Sequence, residues 1–361
     1  MPSNWLLSRR ADLALFGGST LAALALLLVG HLTGHLDGDA PTWLWVVAVV
    51  GVDVAHVWST GWRVYADPTE FRRRAPLYLA IPALAYTVGV IAHTLSPVLF
   101  WRLLAYAAVF HFVRQQYGWV SLYRRKNAED DGRLLDTLTI YAASVAPLVY
   151  WHANQPRRFH WFLAGDFFTG CPRFLGPVAL AGMGALLAAY AVKEILRARR
   201  GRTVSWGKSL IVFSTALTWS LGIVVFDSDY AFTVMNVIVH GVPYVGVVWA
   251  SSRQRAEVHE RTGVPATLAD RAARSAALFL APLFAIAWME EWAWDRLVWH
   301  DHGVLFPGSP VDLAPALLSL LVPLFALPQA THYLLDAFIW KVRKENTEAI
   351  QAMGLRTADG G

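Results

Sequence analysis

The chain has 361 residues, 56% of them hydrophobic and 16% charged, with a net charge of +5 and one cysteine, Cys171. Soluble domains carry roughly a quarter charged residues, so composition reads first as an integral membrane protein. A single cysteine excludes a disulfide framework, a thiolate-rich zinc site and a cysteine-held iron–sulfur cluster. Basic residues in short clusters between apolar runs exclude a nucleic-acid surface.

About 20 residues at the helical rise cross a hydrocarbon layer, and ten apolar runs reach that length. They lie near 13–30, 42–62, 76–96, 98–122, 134–152, 174–195, 205–226, 230–251, 272–292 and 312–340. The expected fold is an all-α, polytopic membrane helix bundle: one bundle over 1–344, then a polar cytoplasmic tail over 345–361. Lys and Arg gather on the cytoplasmic side of membrane helices. Here Arg9 and Arg10, Arg63 with Arg72 to Arg74, Arg124 to Lys126, Arg197 to Arg202, Arg253 to Arg274 and Lys341 to Lys344 fall in alternate loops. Both termini are thereby predicted to face the cytoplasm, as in a bacterial inner membrane.

Four of the twelve histidines lie inside different apolar runs: His56, His111, His240 and His332. Each precedes a basic cluster by a similar number of residues, so all four are predicted at one depth, near enough for one site. Polar residues accompany them at helical spacing, on the same face of each helix. Asp53 precedes His56 by three; Arg114 and Gln115 follow His111; Asn236 and Tyr244 flank His240; Gln329 and Asp336 flank His332. Ionisable groups in apolar surroundings are costly and usually functional. Imidazole and carboxylate without thiolate suit non-haem iron, mono- or dinuclear, ahead of zinc or haem. The expected metal set is His56, His111, His240 and His332, with Asp53 and Asp336 as ligands or orienting groups. Asp53, Tyr244 and Asp336 are the candidate catalytic residues; Arg114, Gln115, Asn236 and Gln329 are the candidate substrate contacts.

Asp53-Val54-Ala55-His56, His111-Phe112, His240 to Tyr244 and His332 to Trp340 together resemble the bacterial membrane carotene dioxygenases of the Brp/Blh type. The resemblance covers about a fifth of the chain. It implies iron bound by histidines on transmembrane helices and oxidative cleavage of a carotenoid. The order Asp53 before His56, and Tyr244 where the family has a second histidine, depart from that pattern. The expected function is a membrane-embedded iron oxygenase or desaturase acting on a lipid or isoprenoid, with an electron donor where the chemistry needs one. The alternatives are a haem-binding electron-transfer protein and an ion-coupled transporter using Asp53, Arg114 and Asp336.

Arg114 has Asp53, Asp336 or a substrate anion as its expected partner. His31, His35, His93, His152, His160, His300 and His302 gather near the opposite ends of the runs, and His259 falls in a loop. Segment 155–170, with Arg157, Arg158 and five large aromatics, is predicted to lie at an interface with its arginines outward. Glu290 and Glu291 read as solvated carboxylates at a helix end.

Overall fold

The computed structural model describes residues 4–340, so the expected tail over 345–361 lies outside the described residues. Ten long helices follow in order: α1 Arg9–Thr33, α2 Thr42–Val64, α3 Ala75–Leu95, α4 Pro97–Lys126, α5 Arg133–Ala153, α6 Leu175–Arg199, α7 Trp206–Val225, α8 Asp229–Thr262, α9 Ala276–Trp299 and α10 Pro315–Ile339. Local chemistry sets their ends. Ser96 accepts the Leu99 N–H ahead of Pro97, and Ser275 accepts that of Leu278. Side-chain oxygens of this kind satisfy amides that have no partner in the first turn. Gly34 and Gly263 close α1 and α8 in the left-handed region (φ 75° and 72°), which only glycine enters without strain. Two short helices, Pro68–Arg73 and Leu268–Ala273, link α2 to α3 and α8 to α9.

The core forms where α2, α4, α8 and α10 meet. The α10 helix packs on α3, α4 and α2, while α8 packs on α2. Val54, Trp119, Val120, Tyr244, Val247 and Phe279 belong to the largest buried apolar cluster. Two helices carry a π-helical stretch just before their histidine: Trp45–Val54 in α2 and Thr233–Val237 in α8. Such widened turns recur at functional sites.

By length and composition, these ten helices are apolar enough to cross a membrane. The way they pack corrects the membrane-spanning reading. Residues expected in alternating end loops are folded between helices as buried ion networks. Lys208, fully buried, meets Asp136 at 3.0 Å, Glu194 at 3.1 Å and also Glu129. Arg124 and Lys193 bind the same Asp136, and Arg197 binds Asp131. A second network joins Arg255 to Asp67 at 2.7 Å and Asp270 at 3.2 Å, with His259 on Asp270 at 2.9 Å. A third holds Glu70 between Arg63, Arg73 and the Tyr78 hydroxyl. Extensive buried charge pairing is typical of a globular helix bundle. The fold is an all-α bundle of ten long helices; the multi-pass location with cytoplasmic termini falls with the membrane reading.

Two smaller expectations also change. His259 is helical and buried, within the Arg255–Asp270 network. In segment 155–170 Arg157 turns inward, donating to the Ile223 and Phe226 carbonyls and pairing with Asp227 at 3.1 Å, while Arg158 stays exposed. Phe159 and Phe167 are buried against Trp151.

Candidate metal centre

His56, His111, His240 and His332 converge from α2, α4, α8 and α10, each offering one ring nitrogen, with all four nitrogens within 4.8 Å of one another. Each residue is 1% exposed. His111 Nε2 lies 3.0 Å from His240 Nε2 and 3.1 Å from His332 Nε2. Neutral imidazoles facing one another with ring nitrogens need a shared proton or a cation between them, and His111 has one hydrogen at most for two partners. Edges near 3 Å suit an ion bound at about 2.0 to 2.1 Å, which separates tetrahedral ligand atoms by about 3.3 Å.

Burial keeps these rings neutral, the form that binds metal. It lowers His56 to about 4 and holds His111, His240 and His332 well below the ordinary value, with their mutual repulsion adding to the effect. Both ring nitrogens of His56, and the Nδ1 atoms of His111 and His240, are buried without a hydrogen-bond partner. Orphaned buried polar atoms call for a bound water or ion.

Groups around the rings set their orientation. Thr60 Oγ1 is 2.7 Å from His332 Nδ1 and 3.3 Å from the Tyr244 hydroxyl, to which the Trp340 indole also donates at 3.4 Å. Asp336 lies 3.5 Å from His111 Nδ1, and Asp53 lies 3.6 Å from His56 Nδ1. Both distances exceed a hydrogen bond, and burial pushes both carboxyls up to about 7. Phe112 stacks on His240 at 3.7 Å, and Gln115 donates to the His240 carbonyl at 2.9 Å.

A cavity of about 640 Å³ opens on one side of this layer, lined by His111, Arg114, Gln115, Tyr244, Tyr333 and Asp336 among others. Tyr244, Gln115 and Asp336 each follow a ligand histidine by four residues, which places them in one layer below the centre. The structure does not gather all the expected substrate contacts. Gln329 faces a different cavity and donates to Glu290 at 3.4 Å. Asn236 is buried with both amide atoms unpartnered, its Oδ1 against Gly222. Arg114 pairs with neither Asp53 nor Asp336: it donates to the Tyr141 hydroxyl and sits over the Tyr117 ring at 4.8 Å. The Asp–Arg–Asp relay of a transporter is therefore not formed. Haem is excluded by the rings, since five of the six pairs have centroids 4.4 to 6.3 Å apart, leaving space for an ion but no slot for a porphyrin.

Thr60 was missed by sequence reasoning, although it follows His56 by four and shares its face; Phe112 was read only as part of the His111-Phe112 motif. Glu290 also changes role, accepting the Trp58 indole N–H at 2.6 Å. The remaining histidines form no second cluster among the described residues. His152 bonds Tyr106 and the Leu148 carbonyl, while His302 packs on Trp45.

No family model, curated protein or solved structure matches this chain, which overturns the resemblance to carotene dioxygenases. The carotenoid and lipid substrates it implied go with it, as does the expected partner set, because the internal charge networks argue against a membrane-embedded active site.

Proposed function

We propose that the four histidines hold one transition-metal ion, non-haem iron, and that the protein is an iron-dependent oxidoreductase of a small organic substrate. The observation that carries this reading is the convergence of four buried, neutral imidazoles, with nitrogens within 4.8 Å, from four separate helices. Imidazole suits iron, zinc, copper and nickel alike. Three features favour a reactive centre over a closed structural one. His111 itself lines the 640 Å³ cavity, so the centre has one face that a substrate reaches. Two carboxyl groups, Asp53 and Asp336, stand within 3.6 Å of the Nδ1 atoms of His56 and His111, where a small shift would let them orient these rings, a common arrangement around catalytic metals. Tyr244, in the same cavity with its hydroxyl near Thr60, is placed to hold or pass a proton.

When bound, iron supplies the electron transfer to dioxygen that an oxygenase-type oxidation requires. The chain's own part is to fix the ring orientations, exclude bulk water and present Tyr244, Asp336, Arg114 and Gln115 to the substrate. Metal analysis of protein purified in parallel with a His111→Ala/His332→Ala variant tests the reading. The expected result is about one iron per chain in the wild type, lost in the folded variant, with oxygen consumption depending on that iron. Stoichiometric zinc, or no metal after anaerobic iron reconstitution, overturns it.

A further inference from the structure

A second cavity, of about 630 Å³, lies on the other side of the histidine layer. Its floor includes Asp53, Val237 and Gln329, which precede His56, His240 and His332 by one helical turn each. The histidine layer thus separates two chambers of different charge balance. Four arginines, Arg114, Arg124, Arg125 and Arg133, line the chamber that holds Tyr244, beside three carboxylates, Glu129, Asp130 and Asp336. Eight carboxylates line the other, against a single arginine, Arg158.

Some of those carboxylates already have partners. Asp227 pairs with Arg157, and Asp229 accepts the Ala40 N–H. Along the remaining path no lysine or arginine pairs with Asp301 at the mouth, with Glu291 and Asp295 in the wall, or with Asp53 at the floor, among the described residues. Although Asp53 lies deep in the bundle, its side chain is 35% exposed because it faces this space. Beyond it, 3.6 Å away, is His56, 1% exposed and with both ring nitrogens unpartnered.

We propose that this acidic chamber is the loading route by which a divalent cation reaches the four histidines, passing from the mouth at Asp301 to Asp53 and then to His56. The proposal rests on the metal-centre reading and assigns that centre a separate entrance for its ion. A cleft lined by one sign of charge concentrates counter-ions and raises their association rate. Carboxylate oxygens bind a hydrated divalent cation loosely, whereas four imidazoles hold a transition metal far more strongly, so the ion moves inward. The other chamber offers a weaker attraction, since its three carboxylates are set against four arginines.

Cobalt(II) uptake by full-length apo-protein, followed by its visible absorption in stopped flow, tests the route. Asp301→Asn, at an exposed position that leaves the interior untouched, and Glu291→Gln/Asp295→Asn are the informative variants. Both are expected to load more slowly, the double variant by about tenfold, and to lose part of the salt dependence of the rate, while reaching the wild-type stoichiometry. Glu257→Gln, a surface control near the far end of α8, is expected to load at the wild-type rate. Wild-type loading rates in both chamber variants overturn the route but leave the metal centre standing. Failure of the wild-type protein to bind cobalt or iron overturns the metal centre itself.

Discussion

Thr60 carries a constraint that no ligand count reveals. Nε2 of His332 faces His111 and Nδ1 lies 2.7 Å from Thr60 Oγ1, so a metal bound at Nε2 would leave the hydrogen on Nδ1 and make Thr60 its acceptor. Thr60→Val keeps the shape of the side chain and deletes the acceptor. Its expected effect is a loss of metal affinity of about 10-fold or more, read as a competition curve against a chelator, with helical content unchanged; an unaltered affinity would mean that the ring is held by packing alone. Asp270 gives a different residue-scale test. Burial raises its carboxyl, but hydrogen bonds from His259, the Thr267 N–H and hydroxyl, and the charge of Arg255 outweigh that, so it lies below the ordinary value of 3.8. A carboxylate depressed in the folded state stabilises fully above its unfolded pKa, and that contribution is lost as pH falls through the folded one. Thermal midpoints of the wild type should therefore fall steeply below about pH 4, and those of Asp270→Asn should start lower and fall less over the same window.

At the scale of elements, the α4–α7 contact is tight. A Cβ on Gly207, at the start of α7, would meet the ring of the fully buried Tyr123, whose hydroxyl donates to Asp12. Gly207→Ala is expected to cost about 1 to 3 kcal/mol through that overlap, seen as a lower denaturation midpoint; an unchanged midpoint would show that Tyr123 can turn aside. Helix positions were legible in the sequence because each helix is one long apolar run: 42–62 is observed as Thr42–Val64, and 134–152 as Arg133–Ala153. The four histidines could be grouped because each precedes its basic cluster by a comparable stretch of 7 to 13 residues. What joins one helix to another was not legible. Arg114 projects from the same face as His111, yet its partner is Tyr141 on α5, and spacing along one helix cannot identify a neighbour. The acids Glu129, Asp131 and Glu194 went unread for the same reason: counting Lys and Arg by loop treats each loop as solvated and says nothing about which carboxylates close over them.

For the whole molecule, these networks make charge a packing constraint. Lys208 is 0% exposed and meets three carboxylates drawn from the 127–132 connection, α5 and α6. Removing one partner from such a cluster leaves uncompensated buried charge, which costs about 3 to 5 kcal/mol. Lys208→Met is expected to lower the denaturation midpoint by an amount of that order, and adding Asp136→Asn to recover part of it; additive losses would show that the groups act independently. The site also depends on the order in which the chain is put together. Thr60 and His332, which touch across the centre, are 272 residues apart in sequence. No early fragment from the ribosome contains all four histidines, because His332 is the last of them to emerge. On the proposed reading, metal occupancy would thereby record assembly of the site: a chain stalled before α10 docks has three imidazoles, so an ion would be held by all four only once His332 is in place.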